Sequence, residues 1–144
     1  MSTTKILVAY DKSEYSKRAL DWALNYQRRQ GAIIDIVTIL PPISNLYTYE
    51  GCSIDVVNLQ KSKKENIRYQ LDELSTECAA KGHKVHGLVL EGNIAESLLE
   101  YSIKSGADLI VTGTRGTGGF KGLLLGSIAH KLVSYAKIPV VVVK

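Results

Sequence analysis

The chain has 144 residues, 45% hydrophobic and 22% charged, with 18 Lys plus Arg against 14 Asp plus Glu for a formal charge of +4. That length fits one domain over residues 1–144, large enough to bury roughly two thirds of its unfolded surface without disulfides or metal. The composition excludes a disordered tail, a disulfide scaffold, a collagen-like repeat and a membrane protein, and the mild basic excess lacks the concentrated stripe of a nucleic-acid binder.

Lys5-Ile-Leu-Val-Ala9 opens the pattern as a short apolar run, the mark of a strand covered on both faces. Its apolar part is too short for a signal peptide, and no run approaches the length of a membrane span. Cys52 and Cys78 lie too far apart for a CxxC motif, and both read as thiols of a reducing compartment, so the expected location is cytoplasmic. Ser13 offers an N-cap, Ala19, Leu20, Ala23 and Leu24 follow at helical spacing, and Gly31 supplies the stop. Ile33 to Leu40 is a β-branched strand ended by Pro41-Pro42. Residues 43–60 show no sustained period and read as irregular. Beyond them Ile67, Leu71, Leu74 and Cys78 form a helical stripe closing near Gly82, with Cys78 expected to be buried.

Lys84 to Glu91 reads as the third strand. Asn93 with Glu96 three residues on resembles a capping box, and Ile94, Leu98, Leu99 and Ile103 continue the helix to Gly106. Asp108 to Thr112 is the fourth strand. A glycine-rich stretch from Gly113 to Gly126 precedes a helix stripe of Ile128, Ala129, Leu132, Val133 and Ala136, and Pro139 to Val143 closes the chain's last strand. Five strands joined through four helices must run parallel with right-handed crossovers, which predicts a doubly wound α/β sandwich.

Ligands of such sheets bind at the carboxyl ends of the strands, where the winding reverses. Three segments leave those ends: Ala9-Tyr10-Asp11, Ile39-Leu40-Pro41 and Thr112-Gly113-Thr114-Arg115-Gly116. Six of the 12 glycines (113, 116, 118, 119, 122 and 126) fall within fourteen positions. Glycine permits positive φ and close approach of backbone N–H groups to an anion. Gly126-Ser127 then opens a helix whose unpaired N–H groups favour phosphate, with Arg115 and Lys121 adding positive charge. A Walker A loop is excluded because Gly119 and Phe120 stand where it needs Lys-Ser/Thr; the dinucleotide fingerprint and the G-x-S-x-G elbow are also missing.

What remains is G-x-x-G-x9-G-S, at Gly113, Gly116, Gly126 and Ser127. With the Val8-Ala9-Tyr10-Asp11 opening, the Leu123-Leu-Leu-Gly-Ser127 stretch and the Ile138-Pro-Val-Val-Val142 ending, the chain resembles the universal stress protein family over essentially its whole length. The resemblance implies a Rossmann-like sheet of order 3-2-1-4-5, similar to the adenine nucleotide alpha hydrolases. It implies an ATP-binding member of the family that regulates the stress response as a homodimer. By the same resemblance Asp11, with Ala9 and Tyr10, faces ribose and adenine, and the main chain of Ile39 meets the adenine edge. Thr112, Gly113, Arg115 and Gly116 surround the ribose and α-phosphate, while Gly126, Ser127 and Ile128 hold the outer phosphates. Mg2+ would ride on phosphate oxygens rather than in a protein cage.

This chain departs from the family pattern in two places. Ala129 lacks a frequent Ser or Thr hydroxyl, which leaves ATP, ADP and AMP open as ligands. Lys12 replaces a frequent glycine, so it is either strained at positive φ or reaches the phosphates. Asp11 can also cap the first helix.

No catalytic base stands over the phosphates, so ATP reads as a bound ligand. The alternatives are slow ATP hydrolysis or autophosphorylation on Ser127 or Thr114, and a nucleotide-free dimer that binds a protein partner. His83 and His86 read as surface or strand-end residues, His130 as exposed, and Trp22 and the tyrosines mostly as packing residues, with Tyr47 and Tyr49 possible cover for the ligand. Val140–Val143 is expected at a sheet edge, where pairing with its own copy across a two-fold axis would complete the backbone hydrogen bonds.

Overall fold

The computed structural model describes residues 3–42, 54–116 and 124–144. In chain order the elements are β1 (Lys5–Ala9), α1 (Glu14–Gln30), β2 (Ile33–Leu40), α2 (Ile54–Ala80), β3 (Val85–Glu91), α3 (Ile94–Lys104), β4 (Leu109–Gly113), α4 (Ser127–Tyr135) and β5 (Val140–Val143). The strands form one parallel sheet of order β3-β2-β1-β4-β5, a doubly wound Rossmann-like arrangement.

Alternation along the strands divides the apolar residues between two faces. Ile6, Val8, Ile34, Ile36 and Val111 meet Ala19, Leu20 and Ala23 of α1 and Leu71 and Cys78 of α2. Leu7, Val37, Ile39 and Ile110 meet Leu98 of α3 and Leu132 of α4 on the other face. Both faces are therefore covered, which is why the strands read as continuous apolar runs. The helix starts follow local chemistry: Ser13 and Asn93 each accept the N–H of the residue three positions on, at 3.1 Å. Gly31, Gly82 and Gly106 take positive φ just beyond the ends of α1, α2 and α3.

The irregular reading of 43–60 is corrected at its C-terminal end. Residues 54–60 are helical and form the first turns of α2. Their pattern carries no readable stripe because two of its apolar residues face solvent: Val57 is 59% and Leu59 55% exposed. Those turns extend a helix anchored further along by Leu71 and Cys78, and propagation costs far less than nucleation. Residues 43–53, with Tyr47, Tyr49 and Cys52, lie outside the described residues.

Ile103 and Val133, both placed in apolar helix stripes, are exposed. Each directly follows a buried residue, Ser102 or Leu132, so it stands one position off the packed stripe of its helix. The packing reading of the tyrosines fails for Tyr69 and Tyr135, which are exposed, whereas Tyr26 stacks on Trp22 at 5.7 Å. Cys78 is buried, and burial raises its thiol pKa, so it is held as an inert thiol.

At the edge where the strands begin, one charge is buried. Asp35 of β2 accepts the Tyr101 hydroxyl at 2.8 Å and lies 3.6 Å from the Lys5 ammonium and 3.7 Å from His86 Nδ1. Burial, then the hydrogen bond to Asp35, pushes the Tyr101 hydroxyl up to about 12. His83 precedes β3 and meets Gln27 Oε1 at 2.9 Å through Nδ1. Gln27 Nε2 donates to two carbonyls, so its Oε1 accepts and His83 carries its proton on Nδ1. The two histidines thus have separate structural partners, and among the described residues no group of three or more His, Cys, Asp or Glu is placed to hold a metal.

Candidate functional site

At the opposite edge the strand order reverses between β1 and β4, and a cavity of about 390 Å3 opens there. It is lined by Ala9, Tyr10 and Asp11 after β1, Ile39 of β2, Thr112 and Gly113 of β4, Arg115 and Gly116 beyond it, and Gly126, Ser127 and Ile128 at the start of α4. All eleven residues singled out from the sequence meet in this one space. Ser16, Val37, Thr38, Ile94 and Leu98 complete the wall together with Ala129, which the sequence marked only for its missing hydroxyl. Thr38 carried a usable signal, being a lone hydroxyl near the carboxyl end of an apolar strand. Ile94 and Leu98 carried none, because a helix stripe facing a cavity reads like one facing a core.

Backbone hydrogen bonds set the crest of the sheet. Tyr10 N–H donates to Val37 O at 3.0 Å, and the Thr38 hydroxyl returns a bond to Tyr10 O at 2.8 Å. Asp11 does not cap α1, since Ser13 does. Instead Asp11 Oδ1 accepts the Ser13 N–H at 3.0 Å, an Asx turn that fixes the carboxylate at the cavity mouth. Lys12 adopts φ 69° inside that turn, a conformation that costs a side-chain-bearing residue about 1–2 kcal/mol. Lys12 borders a second cavity of about 250 Å3 with Ile67, Gln70, Leu71 and Leu74, on the α2 side of the crest, and is not among the residues lining the first.

The glycines earn their places by close approach. Gly113, Gly116 and Gly126 are not among the glycines of positive φ. A Cβ on Gly113 would stand 2.6 Å from Tyr15 Cβ, and one on Gly116 would stand 2.7 Å from Asp11 Oδ2. Gly126 N–H donates to Thr114 O, and Thr114 N–H donates to Val143 O, so the beginning of α4 is tied to the end of β4 and to β5. Gly118, Gly119, Lys121 and Gly122 lie outside the described residues.

Two features make the wall receptive to an anion. Gly126 heads α4 without a side-chain cap, which leaves the positive end of the helix dipole uncovered by any side chain of the cap residue. Arg115 is half-buried, and its Nε is buried without a hydrogen-bond partner. Nη1 makes only a long contact, 3.4 Å, to the Tyr15 hydroxyl. Burial, then the neighbouring Asp11 charge, raises the pKa of Tyr10, so its phenol is neutral at physiological pH. His130 is exposed on α4 and is not among the lining residues.

The fold and crest define a class: doubly wound α/β proteins with a cavity at the switch point and an uncapped helix start in its wall. Residues 2–144 match the universal stress protein family, and the chain belongs to that family. It is 31% identical over 148 residues to Universal stress protein YxiE of Bacillus subtilis (strain 168), covering 97% of this chain and 98% of that one. Among solved structures it superposes on universal stress protein UspA from Lactobacillus plantarum with a TM-score of 0.87, at 20% identity over 100% of this chain and 99% of that one. A universal stress protein in complex with cAMP superposes with a TM-score of 0.70 at 24% identity, covering 99% and 98% of the two chains. The universal stress protein from Archaeoglobus fulgidus in complex with dAMP does so with a TM-score of 0.66 at 19% identity, covering 99% and 98%.

Proposed function

We propose that this chain binds an adenine nucleotide, with ATP the expected ligand, and acts as a nucleotide-dependent regulatory homodimer of the stress response in the cytoplasm. Residues 1–144 form one domain in this reading, and the nucleotide sets conformation or the choice of a protein partner. The observation that carries it is the convergence of three strand ends and the α4 start on one cavity beside a buried donor, Arg115 Nε, that has no partner among the described residues. An anion fits that donor set: a guanidinium, an uncapped helix start and a backbone kept bare by glycine. The family relatives bound to cAMP and dAMP support an adenine nucleotide as the source of that anion.

In this reading Ala9, Tyr10, Asp11 and the main chain of Ile39 hold the nucleoside. Thr112, Gly113, Arg115 and Gly116 hold the ribose and the first phosphate, and Gly126, Ser127 and Ile128 hold the outer phosphates. Mg2+ would be held mainly by phosphate oxygens, with Asp11 the one carboxylate among the described lining residues.

The dimer rests on β5, which pairs with β4 on one side only. Pro139 O and Val143 O both accept from β4 or its extension, so by alternation Val140 and Val142 turn their backbone groups to the open edge. The reading is tested on the full chain purified without added nucleotide. Mass spectrometry of the denatured protein is expected to show adenine nucleotide, calorimetry of the stripped protein is expected to show ATP binding, and light scattering is expected to give the dimer mass. A stripped protein that binds neither ATP, ADP nor AMP would remove the proposal.

A further inference from the structure

We infer that Tyr15 is the positioning residue of Arg115 and, through it, sets how strongly the cavity favours a polyphosphate over an uncharged nucleoside. The inference rests on the adenine-nucleotide reading and adds a residue that lies outside the cavity wall.

Arg115 follows β4 on a segment flanked by Gly113 and Gly116, so its neighbours give its long side chain little to lean on. Neither it nor Arg18 forms an ion pair with a carboxylate among the described residues. A half-buried guanidinium with no ion pair among the described residues gains from another source of support. Tyr15 supplies it: Arg115 Cζ lies 5.8 Å from the ring centroid, within cation–π range, and Nη1 donates to the hydroxyl at 3.4 Å. The backbone that carries the ring is closely packed. Tyr15 stands in the first turn of α1, and Gly113 packs against it so closely that an added Cβ would meet its backbone carbonyl carbon at 2.8 Å. The end of β4 and the start of α1 are thereby packed together, which sets the Tyr15 ring and the Arg115 side chain beside each other.

Arg18 lies over the same ring, with Cζ 5.0 Å from the centroid. Two guanidiniums share one aromatic ring, neither in an ion pair among the described residues, which adds positive potential beside a cavity whose one described carboxylate is Asp11. Holding Arg115 in place before the ligand arrives lowers the ordering cost of binding, and only a ligand that carries phosphate collects the gain. A lysine at 115 would keep the charge and lose both the ring stacking and the planar fork.

The test is a calorimetric comparison of ATP and adenosine on the full chain at fixed salt, with thermal melts on every variant. Arg115→Ala is expected to weaken ATP about tenfold or more, the size of one charge-assisted contact, and adenosine less than about twofold. Tyr15→Leu is expected to weaken ATP about fivefold without moving adenosine, and to add nothing further in the Arg115→Ala background, the mark of two residues acting as one unit. Arg115→Lys, which leaves the Tyr15 packing intact, is expected to fall to the level of Tyr15→Leu. Wild-type ATP affinity in Arg115→Lys, or additive losses in the double variant, would overturn the positioning role while leaving nucleotide binding standing. A wild-type protein that binds neither ligand would overturn both readings at once.

Discussion

At the edge of the sheet where the strands begin, Asp35 is buried and served from three sides, by Tyr101, Lys5 and His86. At the edge where they end, Arg115 Nε is buried with no hydrogen-bond partner among the described residues, and α4 starts at a glycine with no side-chain cap. The same sheet thus carries one polar cluster completed by its own chain and one left open. Ser105 Oγ, between α3 and β4, is also buried without a partner among the described residues, but only at the edge of Arg115 does such a group come together with a cavity and an uncapped helix start. The closed edge holds β1, β2, β3 and α3 together and needs no ligand.

Substitutions at the two edges can break that contrast. Gly126→Asp is expected to have the largest effect on binding, weakening ATP by about a hundredfold or more, because its carboxylate would cap α4 and repel the phosphates. The same cap supports the helix, and the nearest atoms to the new Cβ, Arg115 Cα and Thr114 O at 3.2 Å, need to shift only a few tenths of an ångström. The melting temperature should therefore stay near the wild-type value. A large fall in melting temperature would show that the open edge is also structural.

Tyr101→Phe probes the closed edge and should do the reverse. Removing the hydroxyl that serves Asp35 at 2.8 Å is expected to cost about 1–3 kcal/mol in urea unfolding at neutral pH while leaving ATP affinity within twofold. The pH dependence has a definite sign. The Tyr101 hydroxyl is pushed up to about 12, above the value near 10 of an unfolded tyrosine, so the folded chain holds this proton longer. Its contribution is intact below about pH 10 and is lost as pH rises towards about 12, and Tyr101→Phe should abolish that component of the alkaline loss. An unchanged alkaline profile would show that Asp35 does not depend on Tyr101.

Lys12→Gly should have the smallest effect. It relieves the positive φ at the turn and is expected to raise stability by up to about 1 kcal/mol, with ATP affinity unchanged because Lys12 borders the other cavity. A clear fall in ATP affinity would show that its ammonium reaches the phosphates after all.

Much of this was legible in the chain. The strand spans, the Ser13 and Asn93 caps and the glycine stops depend on residues within a few positions of each other, and local rules read them. The three strand ends and the glycine run before α4 were legible from the residues, whereas the eleven candidate residues came position by position from the family resemblance, and the structure brings them to one cavity. The first turns of α2 were not, because Val57 and Leu59 face solvent and leave no stripe. Ile94 and Leu98 could not be told from core residues, since a cavity wall and a core impose the same helical periodicity.

By itself the sequence determined the order of elements, the alternation that covers both faces of the sheet and the concentration of glycine before α4, all consequences of nearest-neighbour chemistry. Only the tertiary structure decided what those glycines answer to. Gly113 must clear Tyr15 and Gly116 must clear Asp11, residues about a hundred positions earlier in the chain. The pairing of Arg115 with Tyr15, and the absence of a partner for its Nε, were likewise settled by packing β4 against α1. Close approach between distant segments is a property of the folded backbone, and no local pattern encodes it.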